Sequence, residues 1–103
     1  MKATKPMKVQ TSASYSITMR LEIQNRTGML GKVASAIGRA GGDIGAVDIA
    51  GFGPETVIRD VTVNTRDEAH RKAITDAVGR IPGVKLVNVS DRTFLAHLGG
   101  KIT

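Results

Sequence analysis

The stretch YSITMRLEIQNRTGMLGKVASAI, residues 15–37, changes its hydrophobic period once. Up to Gln24 apolar and polar residues alternate. Tyr15, Ile17, Met19, Leu21 and Ile23 fall on one side, and Ser16, Thr18, Arg20, Glu22 and Gln24 on the other. A period of two sends successive side chains to opposite faces, so residues 14–24 read as a half-buried strand of antiparallel type. After Gly28 the period lengthens: Leu30, Val33, Ala34 and Ile37 recur at helical steps, and Ala40 extends the stripe. This is the core-facing side of an amphipathic helix over residues 28–40. Gly41-Gly42 ends it with a residue suited to left-handed backbone. Asn25 or Thr27 suits the cap at its start, accepting a hydrogen bond from a free N–H.

Outward from this junction the rest of the chain follows. Residues 43–52 and 55–65 read as two strands joined by the Gly- and Pro-rich turn Gly51-Phe-Gly-Pro-Glu55. Ile44 is out of phase with Val47 and Ile49, which predicts a bulge near Gly45-Ala46. Val57, Val61 and Val63 share a face with Arg59, and a cation in that register suggests an edge or a subunit contact. A second helix spans 67–81, with Thr65 or Asp67 as cap and an apolar stripe of Ile74, Ala77, Val78 and Ile81. Pro82-Gly83 stops it. Residues 84–96 read as a last strand with Val87 and Val89 inward. The order β-α-β-β-α-β, with right-handed crossovers, gives an α+β fold: the ferredoxin-like arrangement, a four-stranded antiparallel sheet with both helices on one face. The other face is bare and, from Thr18, Arg20 and Glu22, largely polar.

Composition narrows the functional classes. The chain of 103 residues is one domain, with no apolar run long enough to span a membrane and no cysteine for disulfides or thiolate metal sites. Its net charge of +6 is unevenly placed. Lys2, Lys5 and Lys8 lie in an acid-free start, read as a flexible basic tail over 1–13, while residues 9–103 hold 12 basic and 9 acidic side chains. The folded part is therefore only weakly basic, and nucleic acid is not an expected partner. The lack of an apolar stretch after the basic start argues against a secretory signal, and a cytoplasmic location is expected.

No catalytic constellation emerges. His70 and His97 sit on separate elements with no carboxylate at ligand spacing, so no metal site is expected. A nucleophile elbow is absent. Ala40-Gly-Gly-Asp-Ile-Gly45 approaches a dinucleotide-binding glycine pattern but follows a helix and opens a strand, the reverse of what that motif requires. Three aromatics, Tyr15, Phe52 and Phe94, are too few and too scattered for a base-stacking platform.

Asn25-Arg-Thr-Gly-Met-Leu30 resembles the Asp/Asn-Arg-Pro-Gly-x-Leu turn of the ACT family of regulatory domains, matching at five of six positions. Gly-Gly-Asp-Ile44 resembles that family's Gly-x-Asn-Ile. The resemblance covers about residues 14–92. Gly42-Asp-Ile-Gly-Ala-Val-Asp-Ile49, Ile58-Arg-Asp-Val-Thr-Val-Asn64, Asn88-Val-Ser-Asp-Arg-Thr-Phe94 and His97-Leu-Gly-Gly-Lys-Ile102 look, more narrowly, like the N-terminal ACT-like domain of bacterial NAD-dependent malic enzymes. The resemblance implies a regulatory domain over 14–96 and an exit segment, 97–103, leading towards a catalytic region.

The same resemblance implies a small metabolite, an amino acid above all, bound by Asn25, Arg26, Thr27, Gly28, Met29, Leu30, Asp43 and Ile44. It also implies a homodimer or higher oligomer through ACT–ACT contacts. No cofactor is expected in this domain; NAD and a divalent metal belong to the catalytic parent. Elementary chemistry fits such a ligand. A helix start offers unpaired N–H groups to a carboxylate, and the Asn25 amide both donates and accepts. Two departures stand out. Thr27 replaces proline, loosening the turn, and Asp43 replaces asparagine, favouring an ammonium group over an acid. Two other readings are a dimerisation module without ligand, in which Asn25 and Thr27 only cap the helix, and an RNA-binding ferredoxin-like domain.

Overall fold

The computed structural model describes residues 12–91. The elements are β1 (Ser12–Gln24), α1 (Met29–Arg39), β2 (Asp43–Phe52), β3 (Thr56–Thr65), α2 (Glu68–Gly79) and β4 (Val84–Asp91). The strands form one sheet in the order β2-β3-β1-β4, with every neighbouring pair antiparallel. This is the ferredoxin-like α+β fold that the alternating periods predict. The expected tail, the continuation of β4 to residue 96, His97 and the exit segment fall outside the described residues, apart from the start of β1.

One face of the sheet carries the core. Ile17, Met19, Leu21 and Ile23 of β1 and Val61 and Val63 of β3 pack against Met29, Val33 and Ile37 of α1 and Ile74 and Val78 of α2. Burying a side chain of this size stabilises the fold by about 1.5–3 kcal/mol. The opposite face is polar and paired across strands. Thr18 meets Thr62 at 3.1 Å, Thr56 donates to Glu22 at 3.1 Å, and Arg20 grips Asp60 through two nitrogens at 2.8 and 2.9 Å. Ser16, the first residue of this set, is buried and donates to Asn64.

Several expectations shift. The α1 stripe runs through Met29, Val33, Ala36, Ile37 and Ala40, so Met29 is 2% exposed and Leu30 37%. The helix is rotated by about one residue from the sequence reading, and Ala34 faces solvent. Tyr15 is exposed despite its phase, because the β1–β3 register shifts between Ser12 and Ser16. Val87 also faces solvent: Arg20 pairs Asn88 and Leu21 pairs Leu86, leaving Val87 as the extra residue of a bulge. The bulge expected at Gly45 is present between Ile44 and Ala46, and a second falls between Ile49 and Gly51. Arg59 is not at an edge, since β3 is an inner strand.

The helix ends are held by specific bonds. Gly41, at φ +85°, and Gly42 close α1: Gly41 N–H donates to Gly38 O at 3.0 Å and Gly42 N–H to Ile37 O at 2.9 Å. Such a pair satisfies two carbonyls that the last turn would otherwise leave open. At α2 the cap is Asp67, which accepts from His70 N–H at 2.9 Å. Thr65 bonds elsewhere, to the Tyr15 carbonyl.

Candidate functional site

The β1–α1 turn is moored on both sides. Gln24 N–H donates to Gly83 O at 2.9 Å and Asn25 N–H to Glu55 O at 3.0 Å, fixing the turn between the α2–β4 and β2–β3 loops. The chain then reverses through Gly28, whose φ of +86° is backbone that glycine adopts at little cost. Gly28 is itself the N-cap, and no side chain caps the helix. Asn25 and Thr27 therefore do not perform the capping role that the sequence allows them. α1 also has no acid in its first turn. The N–H groups of Leu30 and Gly31 meet no acceptor among the described residues. The positive end of the helix dipole is left open on the surface.

A hollow of about 130 Å³ lies beside this helix start, lined among others by Asn25, Arg26, Gly28, Leu30, Gly31 and Arg59. A second, of about 600 Å³, runs along the outer side of the turn between Gln24, Asn25, Arg26, Glu55 and Thr56. Arg59 reaches the first hollow from the sheet. It pairs with Leu21, whose side chain is in the core, so both point to the helix-bearing face. It is half-buried and forms no hydrogen bond or ion pair among the described residues. Arg26 sits beside it, its guanidinium 3.6 Å from the Met29 sulfur.

Six of the expected site residues, Asn25 to Leu30, are thus contiguous around one helix start. Met29 differs from the rest: its side chain is core, so only its backbone is available there. Asp43 and Ile44 are elsewhere. Asp43 pairs with Asn64, which pairs with Ser16, whereas the turn follows Gln24, paired with Thr56. Eight residues of strand separate the two ends, roughly 27 Å. The Asp43 carboxylate accepts from the Asn64 amide at 3.5 Å on that distant rim. Arg59 is the residue that sequence reasoning did not place in the site. Its signal was visible as a cation in the phase of three valines, but its position under α1 needed the strand order.

Comparison with known proteins identifies the family. The family model of the ACT domain matches residues 11–88. This chain belongs to the ACT-domain family. The ACT domain is 43% identical over 96 residues to the NAD-dependent malic enzyme of Geobacillus stearothermophilus, covering 93% of this chain and 20% of that protein. It is 41% identical over 86 residues to NAD-dependent malic enzyme 1 of Bacillus subtilis (strain 168), covering 82% of this chain and again 20% of the relative. The ACT domain therefore spans about a fifth of the length of these curated relatives. Among the described residues no helix is long and apolar enough to cross a membrane.

Proposed function

We propose that this ACT domain binds a small metabolite bearing a carboxylate, an amino acid above all, at the Asn25–Leu30 turn, and that binding regulates a malic-enzyme-type oxidoreductase. The observation that carries the reading is the uncapped start of α1, with its unpaired N–H groups beside the unpaired Arg59. A carboxylate at that point accepts from Leu30 and Gly31 N–H and faces a guanidinium. The Asn25 side chain, free of a capping role, recognises the rest of the ligand. This chain supplies no catalytic residue in this account. NAD and a divalent metal act in the catalytic part of a longer parent, which is cytoplasmic.

A second copy completes the assembly. β2 is an edge strand, and its helix-side residues Val47, Ile49 and Phe52 are 38%, 55% and 72% exposed. An edge of ten residues without lysine or proline invites pairing with another strand. In such a dimer Asp43 and Ile44 reach a ligand only from the partner copy, because one chain holds them at the far rim. The ligand acts by differing in affinity between two states of the parent enzyme.

A thermal-shift screen of the standard amino acids tests the proposal. A true ligand at a hundred times its Kd stabilises by about 2.7 kcal/mol, and the Asn25→Ala variant loses the response. No stabilisation by any of them at millimolar concentration sinks the sensor reading. The exposed β2 edge favours a second reading, a dimerisation module without ligand. It predicts a dimer that ignores metabolites and survives Asn25→Ala. The inner strands give no support to RNA binding, because residues 16–24 and 56–64 place no aromatic side chain on the open sheet face.

A further inference from the structure

An open groove of about 1120 Å³ runs along the outer seam between α1 and α2. Its floor is apolar, made by Ala36, Ala40, Ala73 and Ala77, with Ile81 and Pro82 at one end. Lys32, Arg39 and Arg80 stand on its rim. None of these cations has an anionic partner among the described residues. One acid, Asp76, lies on the wall and pairs with Lys72 at 3.0 Å; three cations against one acid leave the lining net positive. α1 itself contains no acidic residue.

Shape and charge together select an occupant. The groove is open along the helices, unlike a cavity that encloses a small molecule. Lys32 and Arg39 are seven residues apart on one helix face, which spaces them by about 10 Å along its axis. That is the spacing of carboxylates two turns apart on another helix. Segments 1–11 and 92–103 of this chain contain no acid and do not complement the rim. We propose that the α1–α2 groove docks an acidic amphipathic helix of a partner polypeptide. The partner helix lays small apolar residues on the alanine floor and places its Asp and Glu against Lys32, Arg39 and Arg80. Apolar contact supplies affinity, and the three cations supply orientation and selectivity. Gly28 and Gly31 border both this groove and the turn region, so the docked helix abuts the first turn of α1. The inference goes beyond the metabolite reading and does not need it.

The test uses the 103-residue chain labelled with 15N, without any metabolite. The probe is a helical peptide of about four turns with an alanine-leucine face flanked by glutamates. Two controls are used: the same peptide with lysines for the glutamates, and one of identical composition scrambled to destroy the apolar face. The expected result is saturable shifts of the Ala36, Ala40, Ala73 and Ala77 amides with the acidic amphipathic peptide alone. The double variant Arg39→Glu/Arg80→Glu, whose changes lie on the exposed rim, weakens this at least about tenfold. The idea is overturned by no shift at millimolar peptide, by shifts outside the groove, or by equal binding of either control. Affinity untouched by the charge reversals overturns it as well.

Discussion

At the scale of single residues, two positions carry structure that no local rule reveals. Gly42 has an ordinary role as the residue after the left-handed Gly41, but it also lies against the core. A Cβ there would stand 2.8 Å from Val63, 2.9 Å from Ile37 and 2.9 Å from Ile74. Gly42→Ala is expected to cost about 1–3 kcal/mol through overpacking, read as a lower denaturant midpoint with unchanged slope. His70 is the second position. It is buried, its Nδ1 accepts from Arg66 N–H at 3.0 Å, and its Nε2 donates to the Ala40 carbonyl at 2.8 Å. These bonds require the neutral imidazole with its proton on Nε2, and they tie the start of α2 to the end of α1. His70→Ala strands both backbone groups, and about 2–4 kcal/mol of stability is expected to go with them. A loss below about 0.5 kcal/mol would show that the ring only fills space. His70 is in helical phase with Ile74, Ala77 and Ile81, a spacing that by itself predicts the rim of the core. Its partners are thirty and four residues away, and nothing in the local pattern names them.

At the scale of elements, periodicity located every strand and helix of the described region but set α1 one residue out of phase. Leu30, Val33, Ala34 and Ile37 fit a helical stripe by their spacing, and so do Met29, Val33, Ala36 and Ile37. With alanine on both candidate faces, hydrophobicity scarcely separates them. What decides is the turn: Gly28 in left-handed backbone starts the helix at Met29 and sends that side chain into the core. A charge placed at each alanine distinguishes the phases. Ala36→Glu is expected to unfold or severely destabilise the chain, whereas Ala34→Glu changes its melting temperature little. The strand bulges show the same limit. Gly45 announced its bulge through a lost phase in β2, while Val87 alternates properly in sequence and is displaced by its neighbours across the sheet.

At the scale of the whole molecule, the alternation of β1 and the two helical stripes made the fold legible. The site was legible in part. Asn25 to Leu30 are consecutive, so any fold brings them together, but Arg59 and the far placement of Asp43 depend on strand order. The open face adds a pH dependence. Hydrogen bonds from Arg20 hold the Asp60 carboxyl below its ordinary range, with burial opposing and the guanidinium charge assisting. A depressed folded value stabilises the native state above the ordinary carboxylate value, near about 3.9. The contribution goes as pH falls through the lowered value. Arg20→Gln is therefore expected to reduce stability at neutral pH and to flatten its fall below about pH 4. An unchanged acid-denaturation curve would remove the pair from the account. At the assembly level, Ile49→Lys places a charge on the exposed β2 edge and is expected to shift a dimer towards monomer by sedimentation.

Titrating the 15N-labelled chain with amino acids asks whether the uncapped start of α1 receives a carboxylate. At least one amino acid is expected to cause saturable shifts of the Gly28, Leu30 and Gly31 amides and the Asn25 side-chain amide, weakened at least about tenfold by Arg59→Ala. Those resonances staying fixed under every amino acid at millimolar concentration, or moving just as far in Arg59→Ala, would contradict carboxylate binding there.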